Sequence, residues 1–218
     1  GYSGFSYTVN DGVADSLVPA TLTIDVTPVN DAPTTFDTTV TATEDTTHVF
    51  GGGDFGFSDV DAMDQLESIT VTARSSTGSL ELNGSVITNG QVITRADIAG
   101  GAFTFVPLAN DNGIGYSGFS YTVNDGVADS LVPATLTIDV TPVNDVPTAF
   151  DTTVTATEDT THVFGGGDFG FSDVDAMDQL ESITVTALSS SGSFELNGSV
   201  ITSGQMFTRT DIAGGAFT

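Results

Sequence analysis

Cysteine and tryptophan are both absent from the 218 residues, and three cationic side chains stand against 29 carboxylates, a formal net charge of -26. Without cysteine no disulfide holds the fold. The three cations are all arginines, Arg74, Arg95 and Arg209, so there is no lysine to form a Lys–Asn isopeptide cross-link either. So acidic a chain excludes nucleic acid and anionic membrane surfaces as partners. No apolar run approaches the ~20 residues of a membrane-spanning helix, so no membrane insertion is expected. Nor does any basic stretch lead into an apolar one in the manner of an export signal.

What is present argues for a packed core. Charged residues make up only 15% of the chain and hydrophobic ones 39%, with a mean hydropathy of +0.14, which is not the make-up of a solvated acidic tail. The length suits one large domain or two ordinary ones. An acidic, glycine-rich chain without Lys or Cys fits an extracellular, cell-surface setting rich in divalent cations better than the cytosol.

Repetition sets the organisation. The 31 residues from Gly1 to Asp31 recur letter for letter from Gly115 to Asp145, an offset of 114 residues, and Ala42 to Ala73 recur unchanged from Ala156 to Ala187. The frame breaks at Pro28-Val29-Asn30-Asp31-Ala32-Pro33 and its copy Pro142 to Pro147, where two prolines bracket an extended tether. This frame divides the chain into residues 1–31, the C-terminal strands of a preceding repeat, 32–145, a complete repeat, and 146–218, the N-terminal part of a following one. The chain reads as a window on a longer tandem array.

Within the complete repeat the hydrophobic period is two. Phe119, Tyr121 and Val123 alternate with small polar residues, as do Leu136, Ile138 and Val140, then Val40 with Ala42, and Ile69, Val71 and Ala73. Asn83-Gly84, Asn89-Gly90 and Asp125-Gly126 supply turns. One short helix is expected over Thr94–Ala99, capped by Thr94. About seven strands on 114 residues predict an all-β immunoglobulin-like sandwich.

Antiparallel strands reverse at each turn, which sorts the acidic loops to two poles. Glu44, Asp45 and Asp111, with the tether Asn144-Asp145, fall at one pole; Asp54, Asp59, Asp61 and Asp64, with Asp125, fall at the other. The tether leads from the first pole of one repeat to the second pole of the next, where Asp173 and Asp175 lie. Carboxylates gathered so densely repel unless a cation bridges them, and hard oxygen donors suit Ca²⁺.

Taken together, Glu44-Asp45-Thr46, Asp59-Val60-Asp61, Tyr121-Thr122-Val123-Asn124-Asp125-Gly126 and Pro142-Val143-Asn144-Asp145-Val146-Pro147 resemble the cadherin-like repeats of large bacterial surface adhesins, of the RTX and biofilm-associated kinds. The resemblance implies calcium ligands at Glu44, Asp111, Asn30 with Asp31, Asn144 with Asp145, Asp59 with Asp61, Asp125, and Asp173 with Asp175. The tether has a single carboxylate where the cadherin form has more, which implies fewer ions, one or two per joint. Each position also has a plainer reading: Asp59 and Asp61 as loop caps, Asn30 and Asp31 as shapers of the turn before Pro33, and Asp125 as half of a hairpin turn.

Catalysis has little to stand on. His48 and His162 are equivalent positions on a strand and read as exposed filler, Gly115-Tyr116-Ser117-Gly118 is not a GxSxG elbow, and the glycine-rich stretches lack a phosphate-loop lysine. The chain is therefore expected not to be an enzyme. The expected role is a calcium-stiffened extender of an extracellular adhesin or surface fibre, holding an adhesive tip away from the cell. Its partners would be neighbouring repeats of the same protein, or identical chains end to end. The alternative is a carbohydrate-binding repeat acting by avidity through exposed aromatics such as Tyr116 or Phe55.

Overall fold

The computed structural model describes residues 3–189 and 192–218. They fall into two compact units, one of Gly1–Thr41, Thr47–Val106 and Gly115–Asp139, the other of Ala42–Thr46, Pro107–Ile114 and Val140–Thr218.

The first unit opens with a hairpin of β1 (Ser3–Tyr7) and β2 (Ala20–Ile24), in which Phe5 stands opposite Leu22. There follow β3 (Thr34–Phe36), β4 (Thr38–Thr43), β5 (His48–Val49), β6 (Gly56–Ser58), β7 (Ser68–Arg74), β8 (Ser79–Leu82), β9 (Ser85–Val86), β10 (Gln91–Thr94), β11 (Phe103–Val106), β12 (Gly113–Asn124) and β13 (Ala134–Thr141). The last residues of β4 and β13 and the first of β12 count with the second unit. One sheet runs β10-β7-β12-β13-β4, another β5-β11-β8-β9, and β3 pairs with β6.

The period-two positions meet between these sheets. Ile69, Val71, Tyr121, Val123, Leu136 and Ile138 are buried completely, as are Phe103 and Phe105 from the facing sheet. Rings close the gap: Phe103 lies 5.8 Å from Phe119, and Phe55 meets Tyr121 edge-on at 5.5 Å. The architecture is the expected all-β sandwich. Its strands are more numerous and shorter than the seven expected, in part because the first is divided at Asp37. That carboxylate accepts the N–H of Thr135 at 2.8 Å, and the chain changes partner there, from β6 to β13.

Ala73 departs from expectation: it is exposed. The register against β12 shifts between Ser120 and Tyr121, which pair with Ala73 and Val71, so Thr72 is the extra residue of a bulge. A one-residue insertion reverses the side-chain phase beyond it. The short helix forms as read, over α1 (Arg95–Ala99), with Thr94 and Asp97 in a reciprocal capping box.

The second unit repeats part of this plan. β14 (Thr148–Phe150) pairs with β15 (Gly170–Ser172), β16 (Ser182–Thr184) with β19 (Met206–Thr208), and β17 (Glu195–Leu196) with β18 (Ser199–Val200), followed by α2 (Arg209–Ala213). Its buried cluster is Ile201, Phe207, Ile212 and Phe217. No helix among the described residues is long and apolar enough to cross a membrane.

Candidate metal sites in the acidic loops

In the first unit the loop after β6 turns back on itself because Asp59 Oδ1 accepts the N–H of Asp61 at 2.9 Å, and Asp61 in turn takes the N–H of Asp31 at 2.9 Å. Asp125 leaves the end of β12. Its Oδ1 accepts the N–H groups of Val127 and Ala128, and its Oδ2 accepts Asn30 Nδ2 at 3.0 Å. These bonds bring Asp59, Asp64 and Asp125 together, with one oxygen of each within 4.8 Å of the others.

Within this group, loss of water holds the Asp64 carboxyl above the ordinary aspartate value, with the charges of Asp59, Asp61 and Asp125 adding to it. The N–H of Ala128, opposed by desolvation and aided by Val127 and Asn30, holds Asp125 below. Asp59 Oδ2 is fully shielded and accepts no hydrogen bond.

The second unit has the same device with an added member. Asp173 Oδ1 accepts the N–H of Asp175 at 3.0 Å, and Asp175 Oδ2 accepts the N–H of Asp145 at 2.8 Å. Glu44 joins them: it is only 1% exposed, and its two oxygens accept the N–H of Val143 and Asn112 Nδ2. Oxygens of Glu44, Asp145 and Asp175 lie within 4.8 Å of one another, and Asp173, Asp175 and Asp178 form a neighbouring group. Asp145 is held above the ordinary value first by desolvation, then by Asp45, Asp175, Glu44 and Asp173. Its Oδ2, like that of Asp59, is shielded and without a donor.

Of the residues singled out in the sequence, the structure gathers Glu44, Asp145, Asp173 and Asp175 in one place and Asp59, Asp61, Asp125, Asn30 and Asp31 in another. Asn144 shapes its tether by donating to the carbonyl of Asp145. Asp111 is the exception. It is exposed and belongs to none of the three groups; in its loop the N–H of Asn110 bonds Asp45 at 2.9 Å and Asn112 Nδ2 bonds Glu44. Asp64 and Asp178, not singled out as candidate ligands in the sequence, also belong to these groups, both standing five positions beyond the first aspartate of the DxD.

Two other expectations are corrected. His48 and His162 are half-buried rather than exposed filler, and only His48 lies on a strand; each is set edge-on to the phenylalanine two positions on, Phe50 at 5.0 Å and Phe164 at 4.8 Å. Phe55 is buried in the core and offers no sugar-stacking face, while Tyr116 is half-covered and packs on Phe105.

Residues 30–141 match the family described as bacterial Ig domain, and this chain belongs to that family. The match spans just over half of the chain and covers the five-stranded and four-stranded sheets, but not the β1–β2 hairpin. No curated protein sequence matches the chain. Among solved structures it is similar to an endo-fucoidan hydrolase of glycoside hydrolase family 107 and to its H294Q variant, at 16% identity and a TM-score of 0.31 for each, over 64% of this chain. The aligned part is 18% of either hydrolase chain.

Proposed function

We propose that this chain is a non-catalytic structural extender of a bacterial extracellular adhesin or surface fibre, of the cadherin-like kind, and that Ca²⁺ held by the acidic loops stiffens it. The observation that carries the reading is the pair of shielded carboxylate oxygens, Asp59 Oδ2 and Asp145 Oδ2, that accept no hydrogen bond. A buried acceptor left unpaired is costly, and a buried charge more so. Each sits among further carboxylates, and of the three arginines Arg95 and Arg209 are already paired with Glu67 and Glu181 at 3.1 Å. A divalent cation supplies the missing charge, and an all-oxygen donor set suits Ca²⁺.

Glu44, Asp145 and Asp175 would hold one ion, and Asp59, Asp64 and Asp125 another. Bound calcium would fix the tethers Asn30-Asp31 and Asn144-Asp145 in their folded course. A repeat built for length gains from such fixing. The near-identical copies favour this role, since repetition adds reach without adding a new surface.

The test is thermal unfolding of the whole chain in chelator and in millimolar calcium, with calorimetric titration of the ion. Affinity in the ~10⁻⁴ to 10⁻³ M range of extracellular modules is expected, with a higher melting temperature in calcium. Melting curves that coincide, with no heat of binding, would remove calcium from the account. Small-angle scattering in the two buffers tests stiffening separately, through a longer maximum dimension in calcium.

A further inference from the structure

Each unit carries the same small groove. In the first it measures about 230 Å³ and is lined by Gly52, Gln65, Leu66, Arg95, Ile98 and Ala99. In the second it measures about 240 Å³, and the residues 114 positions on line it, Arg209 and Gln179 among them. Two neighbours in sequence differ, Ile93 becoming Phe207 and Ala96 becoming Thr210, yet the groove keeps its size.

Backbone and side chain together fix the rim. The N–H of Arg95 bonds the carbonyl of Glu67 at 2.7 Å, which ties the start of α1 to the chain ahead of β7. The guanidinium reaches the same segment: Nη1 donates to Glu67 Oε1 at 3.1 Å and Nη2 to Gln65 Oε1. Arg209 repeats all three bonds with Glu181 and Gln179. A guanidinium carries five N–H groups in a rigid fork, so donors remain for a ligand while the fork itself is held still. The floor is of another kind, with Ile98 buried, Leu66 half-buried and Ala99 adding a methyl.

This combination narrows the choice of ligand. Glu67 offsets the charge of Arg95 and the whole chain carries -26, so an anion gains nothing by entering. A purely alkyl group would cover polar groups without satisfying them, which is costly. What fits is a small neutral body with one apolar side and hydroxyls along its edge. A hydroxyl donates to a carboxylate or carboxamide oxygen and accepts from an N–H, so neighbouring hydroxyls match a rim in which such groups alternate.

We propose that each groove is a subsite for one neutral hexopyranose unit of a polysaccharide, its C–H face against Leu66 and Ile98 and its hydroxyls on Arg95 and Gln65, or on Leu180, Ile212, Arg209 and Gln179. A groove below the ~300 Å³ of ordinary ligand pockets takes one sugar unit and holds it weakly. Copies set along one chain then add their contributions by avidity. None of the grouped carboxylates lines either groove, so this assignment stands apart from the calcium reading.

The test titrates the whole chain with cello-, malto-, manno- and galacto-oligosaccharides, and with oligogalacturonate as the acidic contrast, by calorimetry and saturation-transfer NMR. At least one neutral series should bind, with two sites per chain. Arg95→Ala with Arg209→Ala should weaken it about tenfold or more, and either change alone should leave one site. A Cβ at Gly52 or Gly166 meets nothing within 4 Å, so Gly52→Leu with Gly166→Leu adds bulk at the groove without straining the fold and should abolish binding. Binding by no neutral series, binding that survives both double variants, or a preference for oligogalacturonate would each overturn the proposal. Affinity should be equal in calcium and in chelator. A sugar that binds only with calcium would belong to the acidic loops and would overturn the grooves as its site, whereas calcium failing to bind at all would leave them untouched.

Discussion

Asp175 accepts the backbone N–H of Asp145 at 2.8 Å, and 114 residues earlier Asp61 accepts that of Asp31 at 2.9 Å. The tether is thus pinned to the DxD loop by a charge-assisted bond of the protein itself, apart from any ion. Such bonds contribute about 1.5–3 kcal/mol. Asp175→Ala should therefore raise the exchange rate of the Asp145 amide about tenfold or more, in chelator as well as in calcium. Asp175→Asn keeps an acceptor oxygen and should keep most of the protection while blunting the response to calcium. Hydrogen exchange followed at that amide checks both.

The shielded oxygen of Asp59 gives a prediction that changes sign. Without an ion, the carboxylates of Asp59, Asp64 and Asp125 repel one another, so Asp59→Asn should leave the chain as stable or more stable in chelator. With calcium, the same substitution removes a charged ligand and should lower the melting temperature. A change of ~1 kcal/mol corresponds to about 2–4 °C for a chain of this size. Melting curves of both proteins in both buffers should cross over; a variant less stable than the parent in each buffer would make Asp59 a structural residue only.

Much of this was legible in the sequence because period two and strand reversal are strong constraints. Alternation placed Tyr121, Leu136 and Ile138 inside, and counting reversals placed Glu44 with the tether and the DxD with Asp125. What alternation cannot register is an inserted residue. The bulge at Thr72 turned Ala73 outward, and only the partner strand reveals it. Similarly, the choice between Asp111 and Asn112 depends on which side chain of a turn faces inward. Here it is Asn112, two positions after the left-handed Asn110 at φ 57°, whose side chain reaches Glu44.

Acidity offers a further check. Asp64 and Asp145 are held above the usual 3.8, so the folded chain binds their protons more tightly than the unfolded chain does. As pH falls from neutral towards that value, their contribution raises stability in chelator. Asp125 is held below 3.8, and its contribution is lost only as pH falls through its lowered value. Relief of the -26 net charge acts in the same direction as Asp64 and Asp145. The apo chain should therefore melt highest at mildly acidic pH. In saturating calcium the trend should reverse, because protonation displaces the ion.

Core substitution separates fold from site. Tyr121 is wholly buried and its hydroxyl satisfies the N–H of Gly56, a glycine against which the Phe36 carbonyl packs so closely that a Cβ would lie 2.2 Å from it. Tyr121→Phe leaves that buried amide unpaired and should cost about 1–3 kcal/mol. Calcium affinity should stay unchanged, because no ligand moves. Chemical denaturation with calorimetric titration of the same variant tests the pair of expectations.

Glu44 supplies the sharpest contrast with Asp59. Both are acidic residues of a three-carboxylate group, yet the oxygens of Glu44 are already occupied, one by the N–H of Val143 and the other by Asn112 Nδ2. An amide in its place keeps both bonds only if the Asn112 amide turns over to accept, and both then lose the charge that strengthens them, in a site only 1% exposed. Glu44→Gln should therefore lose about 1–3 kcal/mol in chelator, where Asp59→Asn loses nothing. In calcium it should lose more, since a ligand charge goes as well. The comparison needs only urea unfolding of three proteins in two buffers. If Glu44→Gln matched the parent in chelator, the bonds to Val143 and Asn112 would contribute nothing, and relief of charge would be the only consequence of neutralising that position.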